Sequence, residues 1–266
     1  MAKKTLFNPP DSQEREYTRL LLAYSRRLIA DVNRVLVPEL GNLTRQAKAE
    51  LRADTWSEDL ALIMLTLAQL ALEAITPVIR RLPGQFEAVS RQNEGQFKLV
   101  VRANTGLDLP TRVPAAQLLG INVFRTEPFL APLAENWVKT NTDLIKSLPT
   151  RLHPELEGII RRGVMNGASV KQLTKEIKAR YGVTEYRARL IAQDQTLSLN
   201  ADLTRYRLQS VGVKRFIWRS VQDSRVRPEH AEYNGKEYAW DKPPPDGLPG
   251  QPVRCRCRAE GVFPTD

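Results

Sequence analysis

The only two cysteines of this chain stand one residue apart, in Val253-Arg254-Cys255-Arg256-Cys257-Arg258. Thiols this close have three uses. They can oxidise to a disulfide, although a ring closed across one residue strains the preferred S–S geometry and does not persist in a reducing cytosol. They can ligate a metal, with His230 as the obvious further donor, although structural zinc sites usually space their cysteines two to four residues apart. They can also pack as small buried side chains. The residues alone leave these uses open. Upstream lie Asp223, Arg225 and Arg227. Asp223-Ser224-Arg225 reads as a local turn, with the carboxylate accepting backbone N–H groups and the guanidinium pairing with a carboxylate. Asp223 and His230 also have the types of an acid–base pair. His153, before Pro154 at an expected helix start, reads as a surface or capping residue. No G-x-S-x-G, Walker A loop, G-x-G-x-x-G or H-E-x-x-H is present to frame other chemistry. The chain therefore reads as a non-enzyme. A metal-dependent hydrolase or nuclease using the Asp223/His230/Cys255/Cys257 region is the alternative.

The elements around these residues are short strands and ordered loops. Val213 to Val221 alternates in the manner of a strand. Asn234-Gly235 is a tight turn from which Lys236-Glu237-Tyr238-Ala239-Trp240 returns as a hairpin partner. Pro243-Pro244-Pro245 and Pro249-Gly250 mark ordered loops. The preceding sequence is helical, with helices expected near 152–165, 169–180 and 184–210. Ser169 and Thr184 are the expected N-caps, and Gly182 and Gly212 the expected stops. Farther upstream, Leu20 to Leu36 recurs at three- and four-residue spacing up to Pro38 and Gly41. A second helix is expected from Thr55 or Ser57, kinked or ended by Pro77 and closed by Pro83-Gly84, and a third over 85–104. Residues 110–120 are too proline-rich for a long helix, and the helical run from Glu127 is expected to stop at Pro149. The expected class is α+β. A helical N-terminal domain over 1–150 precedes a small α/β C-terminal domain over 151–266, helical to about 210 and then strands and loops.

Hydrophobic and charged fractions are those of a globular chain. The net charge of +10 favours polyanionic partners, but it is spread along the chain rather than gathered in one block. The basic start of the chain has no apolar run behind it, so no signal peptide is expected. Leu60 to Ile75 is nearly all apolar but shorter than a bilayer span and interrupted by Gln69 and Glu73, so a buried core helix is expected rather than a membrane contact. The helix from Thr184 to Ser210 carries Arg187, Arg189, Arg205 and Arg207. Asp194 and Asp202 interrupt that basic face, and no helix-turn-helix is evident.

In order, the chain presents Ile191-Ala192-Gln193-Asp194-Gln195 with Asn200, then Gly212-Val213, Phe216 and Trp218. Asp223, Arg225, Arg227, His230, Gly235, Pro249-Gly250 and Cys255-Arg256-Cys257 follow. This succession resembles the MuF-type phage head morphogenesis proteins, also called minor head or minor capsid proteins, over about residues 140–266. The resemblance implies a structural protein of a tailed-phage virion, located at the head interior or portal vertex and in the host cytoplasm during assembly. It implies the portal protein as partner, with scaffold or major capsid protein and non-specific DNA as further contacts and no membrane, and a role in head morphogenesis, DNA packaging or DNA ejection. Some relatives have cysteines where this chain has Arg227 and His230, which would complete a four-cysteine structural zinc set. Here His230, Cys255 and Cys257 remain as the ligands, and Asp223, Arg225, Arg227, Gly235, Pro249 and Gly250 as the structural motif.

Overall fold

The computed structural model describes residues 6–49, 54–107 and 127–263; the proline-rich stretch at 110–120 lies outside them. Helices α1 (Asp11–Asp31), α2 (Leu40–Ala49), α3 (Asp54–Ile79), α4 (Leu82–Thr105), α5 (Leu130–Met165) and α6 (Val170–Ser210) come first. Strand β1 (Arg215–Arg219), helix α7 (Pro228–Tyr233), β2 (Glu237–Ala239) and β3 (Arg258–Val262) follow. The fold is thus α+β and mostly helical, as expected. The chain forms two compact units, one from residues 16–82 and 140–192 and the other from residues 1–15, 83–139 and 193–266. Position 150 lies within α5.

Several expected helix ends are not ends. Pro38 is passed by one π turn, Val32–Leu36, and one 3-10 turn, Val37–Glu39, and Gly41 lies inside α2. Helix α5 runs through both Pro149 and Pro154. Its buried stripe of Ile145, Leu148, Leu152, Leu156 and Ile160 continues at helical spacing across them, and burying that stripe offsets the lost N–H donors. Helix α6 likewise runs through Gly182. Thr184 is not a cap, and its hydroxyl donates to the Arg180 carbonyl one turn back. Pro83-Gly84 lies in the first turn of α4, where a missing N–H costs little.

Other signals hold. The Gln172 N–H donates to the Ser169 hydroxyl at 3.2 Å, and the Ser169 N–H donates to the Gln172 side-chain oxygen at 2.8 Å, forming a capping box. Ser169→Ala is expected to lower stability by about 1 kcal/mol, and Gln172→Ala in the Ser169→Ala background to add little, as read by urea unfolding. A full additive loss would show that the two residues act separately. Gly212, at φ +82, closes α6 as expected. The Val213 N–H donates to the Leu208 carbonyl and the Gly212 N–H to the Gln209 carbonyl, the double bond pattern that a left-handed glycine permits.

In the first unit, α3 buries Trp56, Leu60, Met64, Leu67, Ala71, Ile75 and Val78. Its opposite side exposes Leu62, Leu65 and Leu72 at 65–69%, so it is a core helix on one face only. By length and composition alone, this stretch is apolar enough to cross a bilayer.

In the second unit the sheet has the order β2-β1-β3, antiparallel throughout. Phe216 faces Tyr238 and Gly261, and Trp218 faces Ala259. The alternation of β1 turns Phe216 and Trp218 into a core with Val213, Leu208, Trp240, Leu248, Phe97 and, from the start of the chain, Phe7. Arg258 donates to the Phe7 carbonyl and fastens that N-terminal segment. The return of Glu237–Ala239 onto β1 is as expected, but the connection is no tight hairpin: α7 lies within it. Gly235, at φ +81, makes the turn into β2, and its N–H donates to the Trp218 carbonyl.

Candidate functional site

The structure brings His230, Cys255 and Cys257 together. All three are buried, and one ligand atom from each lies within 4.8 Å of the others. His230 comes from α7, a single turn entered through Pro228, and its ring packs edge-on against Trp218 at 5.0 Å between centroids. The cysteines lie just before β3 rather than in it. Both sulfurs face the His230 ring, while Arg254 before them is exposed and Arg256 between them is half-buried. Both cysteines are free thiols.

Each upstream motif residue has a place in holding this segment. Asp223 accepts the backbone N–H of Arg225 at 3.0 Å, as the turn reading requires, and also takes the Arg256 guanidinium on both oxygens at 2.6 and 2.7 Å. Arg256 hydrogen bonding is the main reason the Asp223 carboxyl is held below the usual range. Arg227 donates to the Val253 carbonyl at 2.8 Å. From α6, Asp194 accepts the Arg254 N–H at 3.0 Å, and Asp202 accepts the Gln251 side-chain amide at 2.9 Å. Arg254 thereby sits at φ +59, a left-handed conformation that costs a non-glycine residue about 1–2 kcal/mol. Gly250, at φ +93, crosses α6 so closely that a Cβ there would stand 2.8 Å from the Ala201 methyl.

His230 is not paired with Asp223. Its Nε2 lies 3.1 Å from Asp246 Oδ2, a partner in the proline-rich loop that the sequence reading does not single out. Its Nδ1 lies 3.5 Å from the Cys255 sulfur and 3.6 Å from the Cys257 sulfur. Of the two thiols, Cys255 is pulled down to about 6, first by the hydrogen bond from Cys257 and then by the N–H of Gly250. Cys257 is pushed up by the same shared proton and by burial. A cleft of about 350 Å³ adjoins these residues, and Arg225, Arg227, Arg254 and Arg256 also line it.

The arginines of α6 are committed elsewhere. Arg207 is fully buried in a polar network with Glu127, Ser90 and Asn93. Arg205 lies over the Tyr206 ring at 4.5 Å and pairs with Asp202, and Arg189 pairs with Glu185. These contacts tie the arginines to neighbouring parts of the fold.

No solved structure matches this chain. An uncharacterized protein of Haemophilus influenzae is 31% identical over 167 residues, which is 62% of this chain and 35% of the relative. The chain thus spans about a third of that relative's length. The family described as Phage Mu protein F like protein matches residues 155–260, from the second half of α5 to β3, and so takes in the whole cluster and its fastenings. Residues 155–260 are thus similar to the Phage Mu protein F like family, in keeping with the MuF-type head morphogenesis proteins that the closing motifs resemble.

Proposed function

We propose that the chain is a minor head protein of a tailed phage. It enters the procapsid beside the portal and serves in head morphogenesis, DNA packaging or DNA ejection. The observation that carries this reading is the family match over residues 155–260. The motif residues within it fasten one another: Asp223 holds Arg256, Arg227 holds Val253, and Asp194 holds Arg254.

Two surface features support the partners. The exposed Leu62, Leu65 and Leu72 of α3 form an apolar strip of the kind that assembling proteins cover, and the proposed cover is the portal protein. Arg225 and Arg254 are exposed beside the cleft within a chain of net charge +10, which suits contact with DNA phosphates without reading bases. Scaffold or major capsid protein completes the set of partners, and no membrane is included.

The test is co-expression with cognate tailed-phage portal, scaffold and major capsid proteins, followed by sedimentation of the assembled particles. The chain is expected in the procapsid fraction, and Leu65→Glu is expected to reduce its incorporation at least about tenfold, as for loss of a central apolar anchor. A Leu65→Glu chain that folds and is incorporated like the parent overturns the proposed portal contact. Absence of the parent chain from procapsids overturns the reading as a head protein.

A further inference from the structure

We infer that His230, Cys255 and Cys257 bind a borderline-soft divalent metal ion of the zinc class, with the fourth ligand position facing the arginine-lined cleft. The first reason is distance. Tetrahedral coordination with metal–sulfur bonds of about 2.3 Å and metal–nitrogen bonds of about 2.05 Å places nitrogen and sulfur about 3.6 Å apart. The His230 Nδ1 separations from the two sulfurs are 3.5 and 3.6 Å.

The second reason is the direction of the imidazole. Asp246 Oδ2 stands 3.1 Å from Nε2, and an ionised carboxylate there can only accept. In the tautomer that donates Nε2–H to this carboxylate, Nδ1 presents its lone pair to the sulfurs. Two sulfurs sit at nearly equal distance from that one lone pair. A cation between the three atoms satisfies all of them. The carboxylate behind the ring is the outer partner that orients a metal-binding histidine.

The third reason is the support given to the sulfurs. The Gly250 N–H donates to the Cys255 sulfur at 3.4 Å. The Trp218 indole N–H is fully buried without a hydrogen-bond partner and lies near enough to favour the ionised form of Cys257. Donors aimed at sulfur stabilise thiolate ligands.

The ligands are also prearranged without the ion. The segment bearing both cysteines is fixed by Arg227 to Val253, Asp194 to Arg254 and Asp223 to Arg256. All three ligands line the cleft, so a set of three protein ligands leaves the fourth position to solvent or a small exogenous donor.

The test uses the full chain, purified without chelator and without a histidine tag. Elemental analysis is expected to give about one zinc per chain, as a folded single site requires. Replacement with cobalt(II) is expected to give thiolate-to-cobalt charge-transfer absorption, which Cys255→Ser and Cys257→Ser each weaken and the double variant removes. Asp246→Asn keeps all three ligands and guards against a variant that simply fails to fold. It is expected to weaken zinc binding about 10–100-fold against a chromophoric chelator. A folded chain that takes up neither zinc nor cobalt overturns the site, as does an intramolecular disulfide in the purified protein. Unchanged zinc affinity in Asp246→Asn overturns the orienting role of that carboxylate. None of these outcomes bears on portal binding, which the sedimentation experiment reads separately.

Discussion

Replacing Arg207 with methionine is expected to destabilise the protein by about 3–5 kcal/mol, the usual cost of stripping one partner from a buried ion pair. Arg207 is fully buried, and all five of its N–H donors are used. Nε and one Nη reach the two oxygens of Glu127 at 2.9 and 3.1 Å. The remaining donors reach the Ser90 carbonyl, the Ser90 hydroxyl and the Asn93 side-chain oxygen at 2.8–2.9 Å. Asn93 in turn donates to Asn200 and Thr204 on α6. Methionine preserves much of the volume and removes every donor, which takes the Arg207 guanidinium away from the Glu127 carboxylate, only 15% exposed. Glu127→Gln in the same background is expected to recover part of the loss, because it removes a largely buried charge that has lost the Arg207 guanidinium. The measurement is urea unfolding followed by tryptophan fluorescence, to which Trp218 and Trp240 of the same unit contribute. A loss below about 1 kcal/mol for Arg207→Met, within the range of an exposed ion pair, would show that the network does not hold these helices together.

Arg207 also shows where the sequence is silent. An arginine on a helix is ordinarily exposed, and nothing in the local pattern of α6 distinguishes Arg207 from Arg187 or Arg189. Its acceptors come from positions 90, 93 and 127, beyond the reach of any local motif. Asp246 is hidden for the same reason, since a proline-rich loop rather than a periodic element carries it to His230. The terminal strand and loop module was more legible. Phe216 and Trp218 alternate as a half-buried strand must, Gly212 and Ser169 sit where helix-end chemistry requires them, and the motif residues from Asp223 to Cys257 converge. Proline was the misleading signal. Pro38 and Pro149 read as stops, but the apolar stripes flanking them continue at helical spacing, and tertiary burial outweighs local propensity. The one-residue cysteine spacing reads as unfavourable for metal binding if the pair must bend around an ion, but both sulfurs lie close to the His230 ring.

Gly250→Ala is expected to cost about 3 kcal/mol, combining about 1–2 for placing an L-residue at positive φ with about 1–3 for overpacking. The two parts can be separated. Gly235 also lies at positive φ, at +81, but a Cβ there meets nothing within 4 Å, so Gly235→Ala carries the backbone share alone. At Gly250 the added methyl would stand 2.8 Å from the Ala201 Cβ on α6, and neither a helix backbone nor a methyl can swing aside. Ala201→Gly removes the obstructing atom at a cost of its own of about 1 kcal/mol. The double variant should therefore be more stable than the sum of the singles by about 1–2 kcal/mol, a coupling of the size found between residues in contact. Equal losses for Gly235→Ala and Gly250→Ala, or strict additivity with Ala201→Gly, would remove the close crossing as the reason for glycine at 250. The consequence reaches the cluster, because the Gly250 N–H that donates to the Cys255 sulfur is placed by this same crossing. A methyl that lifts the loop from α6 withdraws that donor, so Gly250→Ala should weaken cobalt–thiolate absorption while Gly235→Ala leaves it unchanged.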